Sequence, residues 1–471
     1  MAAIHISPYA GSWYPGGASE LERLIEEKFE ESRRRTGPYL LPDGLGFVTP
    51  HAGPMYSGTV AAAVYRSLHE QRPERIVLLA FPHHGGLRGV AVPDVEAVST
   101  PLGAVAIDRD FAGGFARVKE ERVCDHSFEI QLPFLQRAAP GARVTPIYVG
   151  RMTAEERRAA AETLAAAWRP GVVFVASSDF THYGPSFGYV PFPDHGDVAE
   201  RLQELDFECI EGAGSLEAEF FLETLDRNGA TVCGSAPIAL LLEVLHRLGG
   251  AGIYQTTLDY QTSGELTGDF RHSVSYAALG FHRRASFDLN AGDREVLLAS
   301  AAAALRALRE TGQRHQVAAQ GGSPALDSRR GAFVSLHQGD KLLGCVGNCA
   351  GRGPLAEEVP HLALAAALED PRFRPAADVE GPIDIEISVL TPFRRIRRAE
   401  QFSVGLHGGY LNLSGRSGLL LPQVADRREW TAEQFLQALS RKSLLGPHAW
   451  RDPQARLFVF EAQVFARPGS A

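Results

Sequence analysis

The sequence predicts two fused units. The first is an α/β domain, a mostly parallel sheet with flanking helices, over residues 1–283; the second is an α+β domain over 291–471, with a linker at 284–290 between them. Three observations carry this. In the first part, short continuous apolar runs alternate with helical periodicity, as expected for parallel strands buried on both faces. The stretch from His282 to Asn290 has no periodicity at all. Beyond it, one Ala/Leu-rich helix is followed by a succession of strand signals, the segregated order of an α+β fold. A chain of 471 residues is also too long for a single core.

Each element has its own signature. Ser19-Glu-Leu-Glu22 reads as a capping box ahead of Leu21, Leu24, Ile25 and Phe29 at helical spacing. Gly46-Phe-Val48 is a strand running into Pro50-His-Ala-Gly53. Ile76–Ala80 runs in the same way into Pro82-His-His-Gly85. Val144–Val149 precedes an Ala-rich helix over Ala154–Trp168, and Val172–Ala176 runs into Ser177-Ser-Asp-Phe-Thr-His182. Ile253–Tyr260 and Val274–Phe281 are strands around a polar loop at 261–272. Gly264, Gly268 and Asp269 read as its turn residues, and Arg271 and His272 as substrate contacts. In the second domain the expectations are a helix over Asp293–Glu310 and a loop over Gln320–Arg330. Strands are expected at Gly331–Leu336, Lys341–Val346, Ile383–Leu390 and Leu419–Leu421.

Composition narrows the class. The chain is 45% hydrophobic and 22% charged, with no apolar run long enough to span a bilayer. The opening Met1-Ala-Ala-Ile-His lacks the basic and apolar blocks of a secretory signal, so a cytoplasmic protein without membrane attachment is expected. Five scattered cysteines, Cys124, Cys209, Cys233, Cys345 and Cys349, point to reduced thiols rather than a disulfide framework. A net charge of −9 argues against a nucleic-acid partner. The basic strip Arg394, Arg395, Arg397 and Arg398 reads as a solvated strand edge.

The chemistry sits at strand ends. In open parallel α/β sheets, ligands bind where the carboxyl ends of the strands converge. His51 comes after the first central strand, His83 and His84 after the second, and Asp179 and His182 after the fourth. Imidazole and carboxylate donors suit iron(II), zinc or copper, and two histidines with a carboxylate and open positions are a non-haem iron pattern. His83 and His84 are adjacent, so in an extended chain only one can point inward. Cys233 precedes the apolar helix Ile238–Leu248, with Ser235 as cap and Pro237 in the first turn. A thiol there is expected to be acidified by the helix dipole, and to ligate metal or act as a nucleophile. His126 and Glu129 lie one turn apart if helical, placed to line the site, to orient a ligand or, equally, to tie down the helix start.

Taken together, Ala10-Gly-Ser-Trp-Tyr-Pro15, Pro50-His-Ala-Gly53 with Tyr56-Ser-Gly58, His83-His84, His126-Ser127 with Glu129-Ile-Gln-Leu-Pro133, Ser177-Ser-Asp-Phe-Thr-His-Tyr-Gly184 and Cys233-Gly resemble the Memo family, in its order, over about residues 5 to 283. The resemblance implies a fold related to class III extradiol dioxygenases. It also implies a metal site at His51, one of His83 and His84, Asp179 and Cys233, with His182 adjacent. Two departures stand out: Ala80-Phe-Pro82 replaces a usual Gly-Pro-Ser, and Pro54 a usual aromatic.

In the second domain, Gly331-Ala-Phe-Val, Gly344-Cys-Val-Gly347, Asp370-Pro-Arg-Phe373, Ile385-Glu-Ile-Ser-Val-Leu390, His407-Gly, Gly418-Leu-Leu-Leu-Pro-Gln-Val424 and Trp430 resemble the AMMECR family over about 291 to 467. The family's Leu-Arg-Gly-Cys string is Leu342-Leu-Gly-Cys345 here, without the arginine's forked donor. On their own chemistry Cys345 and Cys349 read as buried structural thiols, and Glu386 and His407 are the remaining polar candidates. The two families occur together in the AmmeMemoRadiSam system. That association implies a radical SAM protein partner, whose Cys-x3-Cys-x2-Cys motif is not on this chain.

These readings lead to one expectation: a metal-dependent oxidoreductase resembling extradiol dioxygenases, with iron(II) first among metals and copper or zinc as alternatives. His51, His84 or His83, and Cys233 or Asp179 would hold the ion. His182, His126 or Asp179 would move protons on a small organic, phenolic-type substrate. The rival expectations are a non-catalytic metal-binding scaffold serving the radical SAM partner, and a zinc hydrolase using Asp179 or Glu129 as base.

Overall fold

The structure is a computed structural model and describes residues 4–38, 40–41, 43–84, 86–109, 111, 113–192, 196–314, 323–426 and 428–469. The chain divides into two compact units, Met1–Arg283 and Arg284–Ala471.

The first unit begins with β1 (Ile4–Ile6), α1 (Ala18–Thr36), β2 (Gly44–Thr49), α2 (Pro54–Gln71) and β3 (Arg75–Ala80). Short strands come next, β4 (Val90–Pro93), β5 (Ala97–Thr100), β6 (Gly103–Ala106) and β7 (Ala116–Val118), then the helices α3 (His126–Glu129) and α4 (Leu132–Ala138). After these are β8 (Arg143–Val149), α5 (Ala154–Ala167), β9 (Val172–Ser177) and β10 (His182–Tyr183). The unit closes with α6 (Val198–Gly214), α7 (Ala218–Asn228), α8 (Ser235–Leu248), β11 (Ile253–Thr262), α9 (Ser263–Thr267) and β12 (Ser273–Arg283).

The main sheet runs β10-β12-β2-β9-β3-β8-β4-β7, with β11 paired to β12, and β1, β5 and β6 form a separate small sheet. Its middle is parallel, β2 with β9, β9 with β3 and β3 with β8, as is the edge pair β4 with β7, whereas β12 joins β2, and β4 joins β8, antiparallel. Successive residues of β3 go to opposite faces. Val77 and Leu79 enter one apolar cluster with α8, and Ile76 and Leu78 enter another with α2. Burial of both faces is why these strands read as continuous apolar runs.

Several local expectations shift. Leu21, Leu24, Ile25 and Phe29 are the buried stripe of α1, but the helix starts after Gly17, so Ser19 lies inside its first turn and makes no cap. The polar loop at 261–272 contains α9, capped by a true capping box between Thr262 and Glu265.

The second unit consists of α10 (Ala291–Thr311), β13 (Ala332–Gln338), β14 (Lys341–Asn348), α11 (Leu355–Leu368), β15 (Asp384–Leu390), β16 (Arg394–Ile396), β17 (Gly408–Leu413), β18 (Arg416–Leu420), α12 (Gln423–Asp426), α13 (Ala432–Lys442), β19 (Arg456–Phe460) and β20 (Ala462–Arg467). Two four-stranded sheets result, β14-β13-β15-β20 and β16-β19-β17-β18. Residues 284–290 are packed into this unit: Leu289 is in its core, and its N–H and C=O both bond the Gln463 side chain. The start of the expected loop at Gln320–Arg330, residues 320–322, lies outside the described residues. The basic strip is not uniformly solvated. β16 is a sheet edge, yet Arg394 is buried while Arg397 and Arg398 are exposed.

Candidate metal centre

Sheet order brings together what the sequence spaces far apart. β9 lies between β2 and β3, with Thr49 opposite Ser177 and Leu79 opposite Ala176, so the three strands finish level. Neighbouring strands are about 4.8 Å apart. Side chains carried just past these ends therefore meet.

His51 is 1% exposed. Its Nε2 lies 3.1 Å from Cys233 Sγ, and its Nδ1 lies 3.0 Å from Ser177 Oγ. The Ser177 hydroxyl donates to the Ser127 carbonyl at 2.5 Å and accepts from Gln131 Nε2 at 3.1 Å. Gln131 is itself oriented by donating to the Pro50 carbonyl and accepting from Tyr65 OH. With its one proton committed, Ser177 can only accept from His51. Nδ1 therefore carries the ring proton, and Nε2 turns its lone pair toward the sulfur.

His83 is held by the same logic. Its Nδ1 lies 2.9 Å from Asp125 Oδ2, which also accepts the His83 backbone N–H at 2.7 Å. Burial raises the pKa of Asp125, but the hydrogen bond from His83 and the nearby histidine charges outweigh it and hold the carboxyl at about 2. An ionised Asp125 takes the Nδ1 proton as an acceptor and leaves Nε2 free to ligate, a carboxylate–histidine pairing that fixes ring and tautomer. His84 is exposed and outside the cluster. Of the adjacent pair, His83 is the one turned inward.

Cys233 completes the group. One ligand atom each from His51, His83 and Cys233 lies within 4.8 Å of the others. The helix expected to carry the thiol is α8, but Gly234 rather than Ser235 is its N-cap. A Cβ on Gly234 would fall 2.5 Å from both the Ser177 carbonyl oxygen and Ser178 Cβ, so only glycine lets the helix start approach the end of β9. The expected acidification of the thiol does not occur. Burial, and after it the Asp179 charge, pushes the Cys233 thiol up against the hydrogen bonds that lower it.

Asp179 sits beside the cluster, held through its backbone and one carboxylate oxygen. Its Oδ1 accepts the backbone N–H groups of His51 at 2.7 Å and Ala52 at 3.2 Å, while its own N–H donates to Cys233 Sγ at 3.3 Å. It therefore positions two donors, and among the described residues it is not grouped with them. His182 Nδ1 faces the carbonyls of Phe180 and Thr231, which fixes its proton there and frees Nε2. His126 stacks on His83 with ring centroids 4.1 Å apart and lies 4.6 Å from Trp13, which is 40% exposed. This stack leads from solvent to the cluster. Burial first, then their mutual charges with His83, push His51 and His126 down to about 3, so both are neutral imidazoles at pH 7.

The donor set fits an ion. Two imidazole nitrogens with oriented lone pairs and one sulfur, all within 4.8 Å, suit metal bonds of about 2.0–2.3 Å. A cation would also offset the desolvation that keeps the thiol protonated. Asp125, Ser177 and Gln131 are functional residues that sequence reasoning missed. Asp125, as a helix N-cap directly before His126, was the one with a legible signal.

The other candidates lie elsewhere. Glu129 is buried against His5. His272 bonds Ser186, and Arg271 pairs with Asp269 on the exposed loop. In the second unit Cys345 is half-buried and Cys349 exposed rather than buried; all five cysteines are free. A Cβ on Gly344 would meet the Ala366 carbonyl oxygen at 2.0 Å, so this glycine lets β14 lie against α11. Arg372 binds Asp370, whose carboxylate also accepts the Cys345 N–H. His407 is buried with Nδ1 accepting from the Ser403 N–H. Glu386 sits half-buried on β15. Among the described residues no potential metal-binding group falls in this unit.

Two family models match different parts of the chain. Residues 7–280 match the family model described as Memo-like protein, and residues 298–465 match the AMMECR1 model. A MEMO1 family protein of Methanosarcina acetivorans is 35% identical over 282 residues, 57% of this chain and 96% of its own length. One from Methanopyrus kandleri is 34% identical over 294 residues, 58% of this chain and 97% of its own length. A crystal structure of an uncharacterized protein from Pyrococcus horikoshii is 31% identical, covering 37% of this chain and 90% of its own, with a TM-score of 0.35. Among the described residues no helix is long and apolar enough to cross a membrane.

Proposed function

This chain belongs to the Memo family, and from that premise we propose that its first unit is a metal-dependent oxidoreductase, related in fold to extradiol dioxygenases, with one ion held by His51, His83 and Cys233. One observation carries the reading: a ligand atom of each of His51, His83 and Cys233 lies within 4.8 Å of the others, while Ser177 and Asp125 take the Nδ1 side of both rings. Two imidazoles and a thiolate suit copper and zinc, and we favour iron(II) on the family resemblance, with Cys233 supplying a thiolate in place of that pattern's carboxylate.

When bound, the ion would act as a Lewis acid or redox centre for a small organic substrate. Three protein donors leave at least one coordination position open. The Trp13–His126–His83 stack offers a planar, phenolic-type substrate an aromatic wall leading inward. His126, neutral and without a side-chain hydrogen bond to the described residues, and His182, with Nε2 free, are the groups placed to accept a proton. Asp179 would maintain the geometry rather than move protons.

A second reading, a non-catalytic metal-holding protein that docks a radical SAM partner, is favoured by the fusion of the Memo and AMMECR families in one chain. The zinc-hydrolase reading is weakened, because Glu129 is engaged with His5 and one Asp179 oxygen is taken by the His51 and Ala52 backbone N–H groups.

Metal analysis of anaerobically purified wild type beside His51→Ala and Cys233→Ala tests the assignment. Each variant should lose about one equivalent of a redox-active metal relative to wild type. Unchanged metal content in both would refute it, and a lost equivalent that is zinc alone would move the reading to hydrolytic or scaffold chemistry.

A further inference from the structure

A second group of donors flanks Asp125, the residue that holds His83. His5 is on β1, and Cys124 and Glu129 bracket the Asp125–His126 pair. One ligand atom from each of His5, Cys124 and Glu129 lies within 4.8 Å of the others. His5 Nε2 is 3.0 Å from Glu129 Oε1, and His5 Nδ1 is 3.5 Å from Glu120 Oε2.

The Glu129 carboxylate is 0% exposed, and its second oxygen, Oε2, is buried with no hydrogen-bond partner. An ion pair with His5 accounts for only part of this. One imidazolium balances one carboxylate, whereas Glu120 and Glu129 both face the ring. A buried, unpaired carboxylate oxygen is costly unless a cation or donor meets it. Glu120 Oε2 lies on the Nδ1 side of His5 and is likewise buried without a hydrogen-bond partner, so the charge around the ring is left negative.

We propose that His5 Nε2, Cys124 Sγ and the Glu129 carboxylate form a second metal site, separate from the His51–His83–Cys233 centre and suited to a divalent ion of the zinc class. The mixed nitrogen, sulfur and oxygen donors are those of zinc sites, with a fourth position left for water. Its place gives it a role. Glu129 is the last residue of α3, whose N-cap Asp125 holds His83, so an ion there would tie β1 to the segment that orients the first centre. The proposal does not depend on the first centre being catalytic.

Metal counting on the intact chain tests it, with Co(II) as the probe. Cys233→Ala should still bind about one equivalent and show sulfur-to-cobalt charge-transfer absorption, because Cys124 supplies the thiolate. Adding Cys124→Ser should remove both the equivalent and the absorption. In the otherwise unaltered chain, Cys124→Ser and His5→Gln should each lower total zinc by about one equivalent while leaving the Cys233-dependent equivalent in place. Using both variants guards against one that fails to fold, and circular dichroism reports which ones have folded. A folded Cys233→Ala protein that binds no Co(II), or an absorption of Cys233→Ala that survives the added Cys124→Ser, overturns the proposal.

Discussion

Asp125→Asn separates orientation of a ligand from ligation itself. The carboxylate works as two acceptors for two sets of donors. Oδ2 takes the His83 backbone N–H and Nδ1–H at 2.7 and 2.9 Å, and Oδ1 takes the Ser127 N–H and hydroxyl at 2.8 and 2.6 Å. An amide of the same shape has one oxygen. Turned toward Ser127, it presents N–H against the His83 N–H groups and unlocks the tautomer that frees Nε2. Turned toward His83, it presents N–H to the Ser127 N–H and loses the cap of α3. Loss of such an outer carboxylate typically costs 10- to 100-fold in metal affinity, about 1.4–2.8 kcal/mol. Loss of the cap costs the metal-free protein roughly 1 kcal/mol. Competition titration against a chromophoric chelator at fixed pH measures the first, and thermal unfolding of the metal-free chain the second. Affinity within about twofold of wild type would show that His83 is not held through Asp125, and would remove the argument that its Nε2 faces an ion.

Two further outcomes come from packing and protonation. Gly234→Ala forces a methyl to 2.5 Å from the Ser177 carbonyl oxygen and Ser178 Cβ, so denaturant unfolding should report a loss of about 1–3 kcal/mol together with weaker metal binding. In the second unit, burial and the nearby Arg394 charge hold His407 down at about 4, against 6.5 in the unfolded chain, while Nδ1 accepts a backbone N–H. The unfolded state therefore binds the proton first. The contribution of His407 to this unit's stability is complete above about pH 6.5 and falls as pH drops toward about 4, by at most about 3 kcal/mol. His407→Gln should flatten that slope in calorimetric scans, and an unchanged slope would show that another group sets it.

Much of the site was legible as positions. His51, His83 and Asp179 could be placed at strand ends because a doubly buried parallel strand is recognisable as a continuous apolar run, and the residues after such a run must turn at the sheet's carboxyl edge. The roles of those residues were less legible. Asp179 looks like a ligand by type and place, and what the sequence does not show is that one of its two oxygens is taken by two backbone amides. Cys233 looks acidified by its helix, but burial pushes its thiol up. Strand ends predict neighbourhood, whereas side-chain direction and desolvation depend on groups distant in the chain.

By itself, the sequence determined the alternating apolar strands and helices, the change of character near residue 284, and the family to which 7–280 belongs. These are local patterns, set by which faces each element must bury. Only the tertiary structure decided that β9 inserts between β2 and β3, that His83 rather than His84 turns inward, and that His5 meets Glu129 across 124 residues of chain. Strand order and the direction of each side chain are set by the packing of the whole sheet and its helices, and no window of sequence contains that information.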